Sequence, residues 1–175
     1  MSETQKTDLI LRNARLIDGT GAPSQYGDMA IRDDRLLEVG ELGDLQAVRE
    51  LDVGGKVVCP GFVDTHTHDD HVLLTYPKMS CKVSQGVTTV VTGNCGISLA
   101  PLKIDQRPPA PLDILVERED QFFADFGNYL QTLTENPASP NSVCQVGHTT
   151  LRAAVMDSYD QPATAEEIRK MRKLL

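Results

Sequence analysis

A short apolar run leads directly into a group of metal-ligand side chains at residues 57–70, VVCPGFVDTHTHDD. The run is brief and rich in valine, which predicts a strand that is covered on both faces. Side chains two residues apart in a strand point to the same side, so His66 and His68 can share one metal ion. Two imidazoles at the C-terminal end of such a strand indicate a catalytic metal in an α/β barrel. For this pair alone, the alternative is two surface histidines that bind no metal.

The net charge of the chain indicates which kinds of binding partner are disfavoured. The 175 residues include 25 acidic and 17 basic side chains, a formal net charge of −8 at pH 7. This excess of negative charge argues against nucleic acid or an anionic membrane as a main partner. The N-terminus, MSETQKTD, is polar and unlike a secretory signal, and no apolar run approaches the ~20 residues that cross a bilayer. We therefore expect a cytoplasmic protein.

Short strands separated by turn residues fill the first third of the chain. Strands are predicted over residues 8–18 and 49–53, and a hairpin is predicted over residues 28–39, where Asp33 and Asp34 form the turn. This pattern predicts part of a small β-sandwich or barrel. From residue 57 onward strands alternate with helices, which predicts a parallel sheet and an α/β fold.

The α/β segment from residue 57 contains five further predicted segments and the start of a last helix. Thr164 and Glu167 form a capping box that opens a last helix. The other elements are a helix over 73–84, a strand over 87–92, a long proline-bearing loop over 97–120, a helix over 121–134 and a strand over 142–146.

Three predicted strand ends carry side chains suited to chemistry: His66 with His68, Cys95, and His148. Ligands gather at the C-terminal ends of strands in parallel α/β sheets and barrels. Cys95 lies in a glycine-bounded turn and can bind zinc as a thiolate. A zinc ion there would activate water and polarise a carbonyl, which indicates a hydrolase of amides or esters that also needs a general base. The alternatives are a small buried cysteine and a structural His148.

Other polar and sulfur-bearing residues have less defined expectations. Asp64, Asp69 and Asp70 can orient a histidine by hydrogen bonding, although a solvated loop or a helix cap explains Asp69 and Asp70 as well. No CxxC pair occurs, and the chain shows no secretory signal, so we expect no disulfide framework. Cys59, Cys81 and Cys144 are expected to pack as small buried groups.

Three stretches resemble the amidohydrolase superfamily. Residues 60–68, PGFVDTHTH, contain its histidine pair. Asp69 and Asp70, residues 85–98 (QGVTTVVTGNCGIS) and residues 147–152 (GHTTLR) resemble the D-aminoacylase branch, the N-acyl-D-amino-acid deacylases. The Thr-Gly-Asn-Cys-Gly stretch is more specific than the histidine pair, and the resemblance covers nearly the whole chain.

The resemblance implies a fold, a ligand set and a reaction. It implies part of a small β-sandwich over residues 1–60, followed over residues 61–175 by the first βα units of a metal-dependent (β/α)8 barrel. It implies that Cys95 is a metal ligand, that His66 and His68 serve a second and more weakly held metal position, and that the cofactor is zinc. The implied reaction is hydrolysis of the amide bond of an N-acyl-D-amino acid to a carboxylate and a D-amino acid.

The chain is shorter than such a barrel requires. A (β/α)8 barrel needs ~250 residues, whereas 115 residues follow residue 60. The resemblance places two further metal histidines, the catalytic aspartate and the group that binds the substrate carboxylate beyond Leu175, so we expect an N-terminal fragment that is inactive alone. Two alternatives stay open: an amidohydrolase of cyclic amides (hydantoinase or dihydroorotase type), which Cys95 disfavours, and a non-catalytic remnant that binds metal or a partner.

Overall fold

The chain divides into two compact units, one ending at Pro60 and one beginning at Gly61. The computed structural model describes residues 7–116, 118–158 and 160–175. Residues 1–6, which belong to the predicted sandwich segment and to the polar N-terminus, lie outside the described residues, as does residue 117 of the predicted loop. Within the described ranges, no helix is long and apolar enough to cross a membrane.

The first unit contains one sheet built around its first strand. Its strands are β1 (Thr7–Leu16), β2 (Gln25–Arg32), β3 (Arg35–Gly40), β4 (Ala47–Asp52) and β5 (Val57–Val58). The order is β3-β2-β1-β4, and β5 also pairs with β1. β2 runs antiparallel to β1, whereas β4 and β5 run parallel to it. The positive φ angles of Gly54 and Gly55 permit the turn between β4 and β5.

The predicted hairpin is confirmed. β2 and β3 pair antiparallel up to Arg32 and Arg35, and Asp33 has a φ of 50° in the turn between them. Ile10, Ala30 and Leu42 form the buried centre of the unit. The described residues supply one layer of sheet here, so the second layer of a sandwich stays a prediction.

The second unit contains a parallel sheet of order β6-β7-β8 with helices between and after its strands. At its carboxyl edge, Thr67 of β6 pairs with Thr92 of β7, which pairs with Cys144 of β8. The strand ends are therefore adjacent along one edge. Its elements are β6 (Phe62–Thr67), α1 (Val72–Thr75), α2 (Ser80–Val83), β7 (Val87–Thr92), 3-10 turns at Leu112–Ile114 and Glu119–Gln121, α3 (Phe126–Glu135), β8 (Asn141–Cys144), α4 (His148–Val155) and α5 (Ala165–Lys173).

The segment predicted as a long loop supplies much of the core of the second unit. Residues 97–116 contain little regular structure, yet Leu99, Leu102 and Leu112 are buried against Tyr129 of α3. Their backbone is held in part by hydrogen bonds to neighbouring segments, such as Leu102 N–H to the carbonyl of residue 123. The segment is a packed connection between β7 and α3.

The strand predicted to begin at Val57 is in fact two strands. Val57 and Val58 form β5 in the first sheet, whereas β6 begins at Phe62 in the second. Pro60 lies between them and has no N–H for a ladder hydrogen bond. The prediction of cover on both faces is also wrong, because Phe62 is 59% exposed and Val63 is 53% exposed.

Two helix predictions need correction, while the capping box that opens α5 is confirmed. The helix predicted over 73–84 is interrupted, because Pro77 lacks an N–H and Met79 has a left-handed φ of 43°. The helix predicted over 121–134 begins later, because the side chain of Asp125 caps the first turn of α3. Both errors come from relying on apolar spacing alone, without the proline and the capping residue that set where a helix breaks or begins.

The prediction that three cysteines pack as buried groups is wrong. Cys59 and Cys81 are exposed, and Cys144 is half-buried, as is Cys95; all four are free. Cys81 lies on α2, a helix of one turn that is too short to bury a full side. Small size and low polarity did not decide where these side chains lie.

Candidate metal centre

Strand β6 carries the histidine pair to the carboxyl edge of the parallel sheet. His66 lies one residue before the end of β6, and His68 follows that end directly. The pairing of β6 with β7 shifts register between Asp64 and Thr67, which places one extra residue in β6. Both histidines are exposed, and their ring centroids are 6.0 Å apart with planes inclined by 54°.

A glycine-bounded turn at the end of β7 places Cys95 beside the histidines. Gly93 and Gly96 have φ angles of 80° and 92°, which residues with a side chain rarely adopt. The N–H of Gly96 donates to the carbonyl of Gly93 at 2.9 Å and closes the turn. Asn94 Nδ2 donates to the carbonyl of Thr65 at 2.9 Å, which ties the turn to β6.

The chain after Cys95 is anchored to the start of α4. Ser98 N–H donates to Thr150 Oγ1 at 2.8 Å, and Thr150 Oγ1 in turn donates to the carbonyl of Ser98 at 3.1 Å. Gly147 N–H donates to Ser98 Oγ at 2.9 Å, and Thr149 N–H donates to the carbonyl of Gly96 at 2.7 Å. Ser98 and Thr150 are both buried. These contacts fix the backbone on the C-terminal side of Cys95.

His66, His68 and Cys95 each present one ligand atom, and these three atoms lie within 4.8 Å of one another. Among the histidine, cysteine, aspartate and glutamate side chains that the structure describes, these three have the spacing of a metal site. Two imidazole nitrogens and one sulfur are the donor types that zinc takes in proteins, and exposed histidines leave room for a water or substrate ligand. The donor set therefore fits a catalytic zinc ion.

Asp64 and Asp69 flank the histidine pair and share one cation. Lys82 Nζ lies 2.6 Å from Asp64 Oδ2 and 2.9 Å from Asp69 Oδ2, and it donates to Thr67 Oγ1 at 3.1 Å. The hydrogen bond from Lys82 lowers the pKa of the Asp64 carboxyl below its ordinary value. Asp64 Oδ1 accepts the backbone N–H of His66 at 3.3 Å. Asp64 thus holds the backbone of a predicted ligand.

The other two histidines lie outside the three-residue group. His148 is exposed and begins α4, a helix that the sequence did not predict. His71 is half-buried, and burial lowers its pKa. Its Nε2 lies 2.9 Å from Gln121 Nε2, beside a cavity of about 550 Å³. Asp70 is fully buried, and burial raises its pKa to about 6.

Sequence reasoning missed Lys82 as part of this arrangement. It lies in a segment predicted as an amphipathic helix, where a lysine is normally a solvated surface residue. A signal was present, however: the acidic residues flanking the histidine pair need a cation, and Lys78 and Lys82 are the basic residues between β6 and β7.

The fold and the cluster define a class of α/β protein that gathers metal-type ligands at the carboxyl ends of parallel strands. The amidohydrolase family model matches residues 49–175, and the chain belongs to this family. The chain is 52% identical over 173 residues to the D-aminoacylase of Alcaligenes xylosoxydans xylosoxydans, a match of 99% of this chain and 36% of the relative.

Two solved structures share its fold over nearly its full length. A D-aminoacylase with a binuclear metal centre matches with a TM-score of 0.91 at 54% identity, covering 96% of this chain and 35% of that one. The N-acyl-D-glutamate deacylase of Bordetella bronchiseptica, complexed with zinc and a phosphonate inhibitor, matches with a TM-score of 0.89 at 40% identity, covering 98% and 36%. The chain spans about a third of these relatives. The resemblance to the D-aminoacylase branch and the predicted fold class, the first part of an amidohydrolase barrel, are confirmed.

Proposed function

We propose that these residues form part of the zinc centre of a hydrolase that cleaves N-acyl-D-amino acids to a carboxylate and a D-amino acid. The observation that carries the proposal is the group of His66, His68 and Cys95 at adjacent strand ends, with ligand atoms within 4.8 Å. The similarity to a D-aminoacylase and to an N-acyl-D-glutamate deacylase supports the substrate class. The zinc of the latter structure supports the choice of metal.

Each residue has a proposed part in the site. Cys95 binds as a thiolate and holds the metal most tightly, while His66 and His68 form a second, weaker position. A zinc ion held there supplies a Lewis acid for the amide carbonyl and makes water a better nucleophile near neutral pH. Asp64 and Asp69 support the histidines without binding the metal.

His148 is proposed to support the site from the start of α4, where its neighbour Thr149 contacts the Cys95 turn through Gly96. The general base and the group that binds the substrate carboxylate are expected among residues that the relatives have and this chain does not match. We therefore expect the 175-residue chain to bind zinc but not to turn over N-acetyl-D-methionine. Robust turnover by the isolated chain would contradict this expectation.

Zinc analysis of the chain tests the metal part of the proposal. The wild-type chain is expected to retain zinc after dialysis, and Cys95→Ala is expected to lose it, because the thiolate is the strongest donor in the group. Cys59→Ala is the matched control, since it removes an exposed thiol from the first unit. Equal zinc content in wild type and Cys95→Ala would remove Cys95 from the site.

Cobalt substitution gives an independent measurement. A thiolate bound to cobalt produces sulfur-to-metal charge-transfer absorption, which is expected in the wild type and in Cys59→Ala but not in Cys95→Ala. Its absence from the wild type, together with no retained zinc, would leave the chain without a metal site and favour the non-catalytic alternative.

A further inference from the structure

The ammonium group of Lys82 makes three polar contacts, all with the short stretch of chain that carries the histidine pair. The contacts are with Asp64 Oδ2 at 2.6 Å, Asp69 Oδ2 at 2.9 Å and Thr67 Oγ1 at 3.1 Å. The side chain of Lys82 is 20% exposed, and those of Asp64 and Asp69 are 30% and 15% exposed. One half-buried cation thus joins points before, within and after the His-Thr-His sequence.

This stretch needs such an attachment because strand pairing does not hold it regularly. The register of β6 against β7 shifts between Asp64 and Thr67, so the ladder is interrupted at His66. His68 lies beyond the end of β6. The backbone N–H of His66 donates to the other oxygen of Asp64, the carboxylate that Lys82 holds. A path of direct contacts therefore runs from Lys82 through Asp64 to His66.

We propose that Lys82 is a positioning residue that sets the spacing of His66 and His68 for metal binding, through Asp64, Thr67 and Asp69. This inference rests on the proposed zinc site. Lys82 belongs to α2, which precedes β7, the strand that leads to Cys95. Its polar contacts are nevertheless with residues 64–69, so it acts on the two histidines and not on the thiolate.

The sign of the effect separates positioning from simple electrostatics. A cation close to a zinc site repels the metal, and Lys82 also neutralises two nearby carboxylates. If charge alone mattered, Lys82→Met would bind zinc more tightly. Positioning predicts the opposite, because the freed strand end no longer presents both imidazoles at the required spacing, and loss of such supporting contacts typically costs about 10- to 100-fold in metal affinity.

The test compares the dissociation constants of zinc at the weaker, histidine position of the 175-residue chain, measured by competition with a chelator. Lys82→Met is expected to weaken zinc binding about 10- to 100-fold. Lys82→Arg retains a cation with several donors and is expected to recover part of the loss. Lys78→Met, which removes an exposed lysine four residues away, is the matched control and is expected to bind as the wild type does.

A second background locates the effect. In a chain carrying His66→Ala and His68→Ala, adding Lys82→Met is expected to cause no further loss, because its targets are already gone. A structural role alone would lower stability to urea in every background and leave the zinc constant of the folded chain unchanged. Should Lys82→Met fail to fold, Lys82→Gln keeps a hydrogen-bond donor and takes its place in both backgrounds.

The outcomes separate this inference from the proposed function. A wild-type chain that binds no zinc overturns both. A wild type that binds zinc, with equal or tighter binding by Lys82→Met or Lys82→Gln, overturns only the role of Lys82. A further loss in the background lacking both histidines also overturns it, because Lys82 would then act on Cys95.

Discussion

The two parts of the proposed ligand set are held by different forces. The histidine pair is supported by ionic contacts of Lys82 with Asp64 and Asp69, and its imidazoles are exposed. The Cys95 turn is supported by neutral hydrogen bonds between Ser98 and Thr150, both of them buried. The first support depends on charge, while the second depends on close packing and satisfied hydrogen bonds.

Because of this difference, the two ligand groups are expected to differ in how rigidly they are held. Buried polar groups are costly to leave unpaired, so the Cys95 turn has one strongly preferred geometry. Partly exposed ion pairs contribute little to stability and respond to ionic conditions. We therefore expect Cys95 to be the fixed point of the site and the histidine pair to be its adjustable part. Substitutions in each support and a change of salt concentration test that contrast.

Gly93→Ala is expected to have the largest effect. Gly93 has a φ of 80°, and a Cβ built there would lie 2.1 Å from the carbonyl oxygen of Gln145. Strained backbone of this kind costs about 1–3 kcal/mol, and the overlap with another backbone segment adds to it, so we expect a loss of about 3 kcal/mol or more. Urea unfolding of the metal-free chain measures the loss.

Gly96→Ala is the control from the same turn. Its φ is 92°, but the nearest atom to a Cβ there is Thr149 Oγ1 at 3.6 Å, an ordinary contact. Only the left-handed backbone is penalised, at about 1–2 kcal/mol. Equal losses in the two variants would show that close approach to Gln145 does not fix the Cys95 turn.

Thr150→Val is expected to have the next largest effect. The variant keeps the shape of the side chain but leaves the N–H and carbonyl of Ser98 without the partner that Thr150 Oγ1 provides. Buried groups left unpaired cost about 1–3 kcal/mol. Thr134→Val is the control, because the Thr134 hydroxyl is exposed and donates to the carbonyl of Leu130; we expect a change within about 0.5 kcal/mol. A loss that matches the control would mean that the Cys95 turn does not depend on this buried contact.

Much of this contrast could not be predicted from the sequence. The sequence indicates the histidine pair and Cys95 as ligands because imidazole and thiolate are metal donors and because parallel strand ends meet at one edge. Their supports involve side chains that are distant in sequence: Thr150 lies 52 residues after Ser98, and Lys82 lies 18 after Asp64. Local patterns do not indicate the pairing of Ser98 with Thr150, and they do not distinguish Lys82 from Lys78 as the partner of Asp64.

The fold shows the same division between local and distant information. The hairpin at Asp33 and the capping box at Thr164 were predictable because neighbouring residues decide them. The burial of residues 97–116 was not, because prolines identify an irregular segment without showing that it packs against α3. The prediction that Phe62 is covered was also wrong. An apolar strand shows which side chains would be stabilised by burial, but not whether other parts of the 175-residue chain pack against them.

Salt is expected to produce the smallest and most selective effect. Lys82→Met should cost the metal-free chain about 1 kcal/mol or less at low salt, because partly exposed ion pairs are weak. At about 1 M NaCl the screening length falls to about 3 Å, so this cost should shrink toward zero. The cost of Thr150→Val should not change, because its contacts are neutral and buried. Urea unfolding of both variants and the wild type at the two salt concentrations measures the difference. If both costs respond to salt equally, the ionic and neutral supports are not distinct, and Cys95 is no more fixed than the histidine pair.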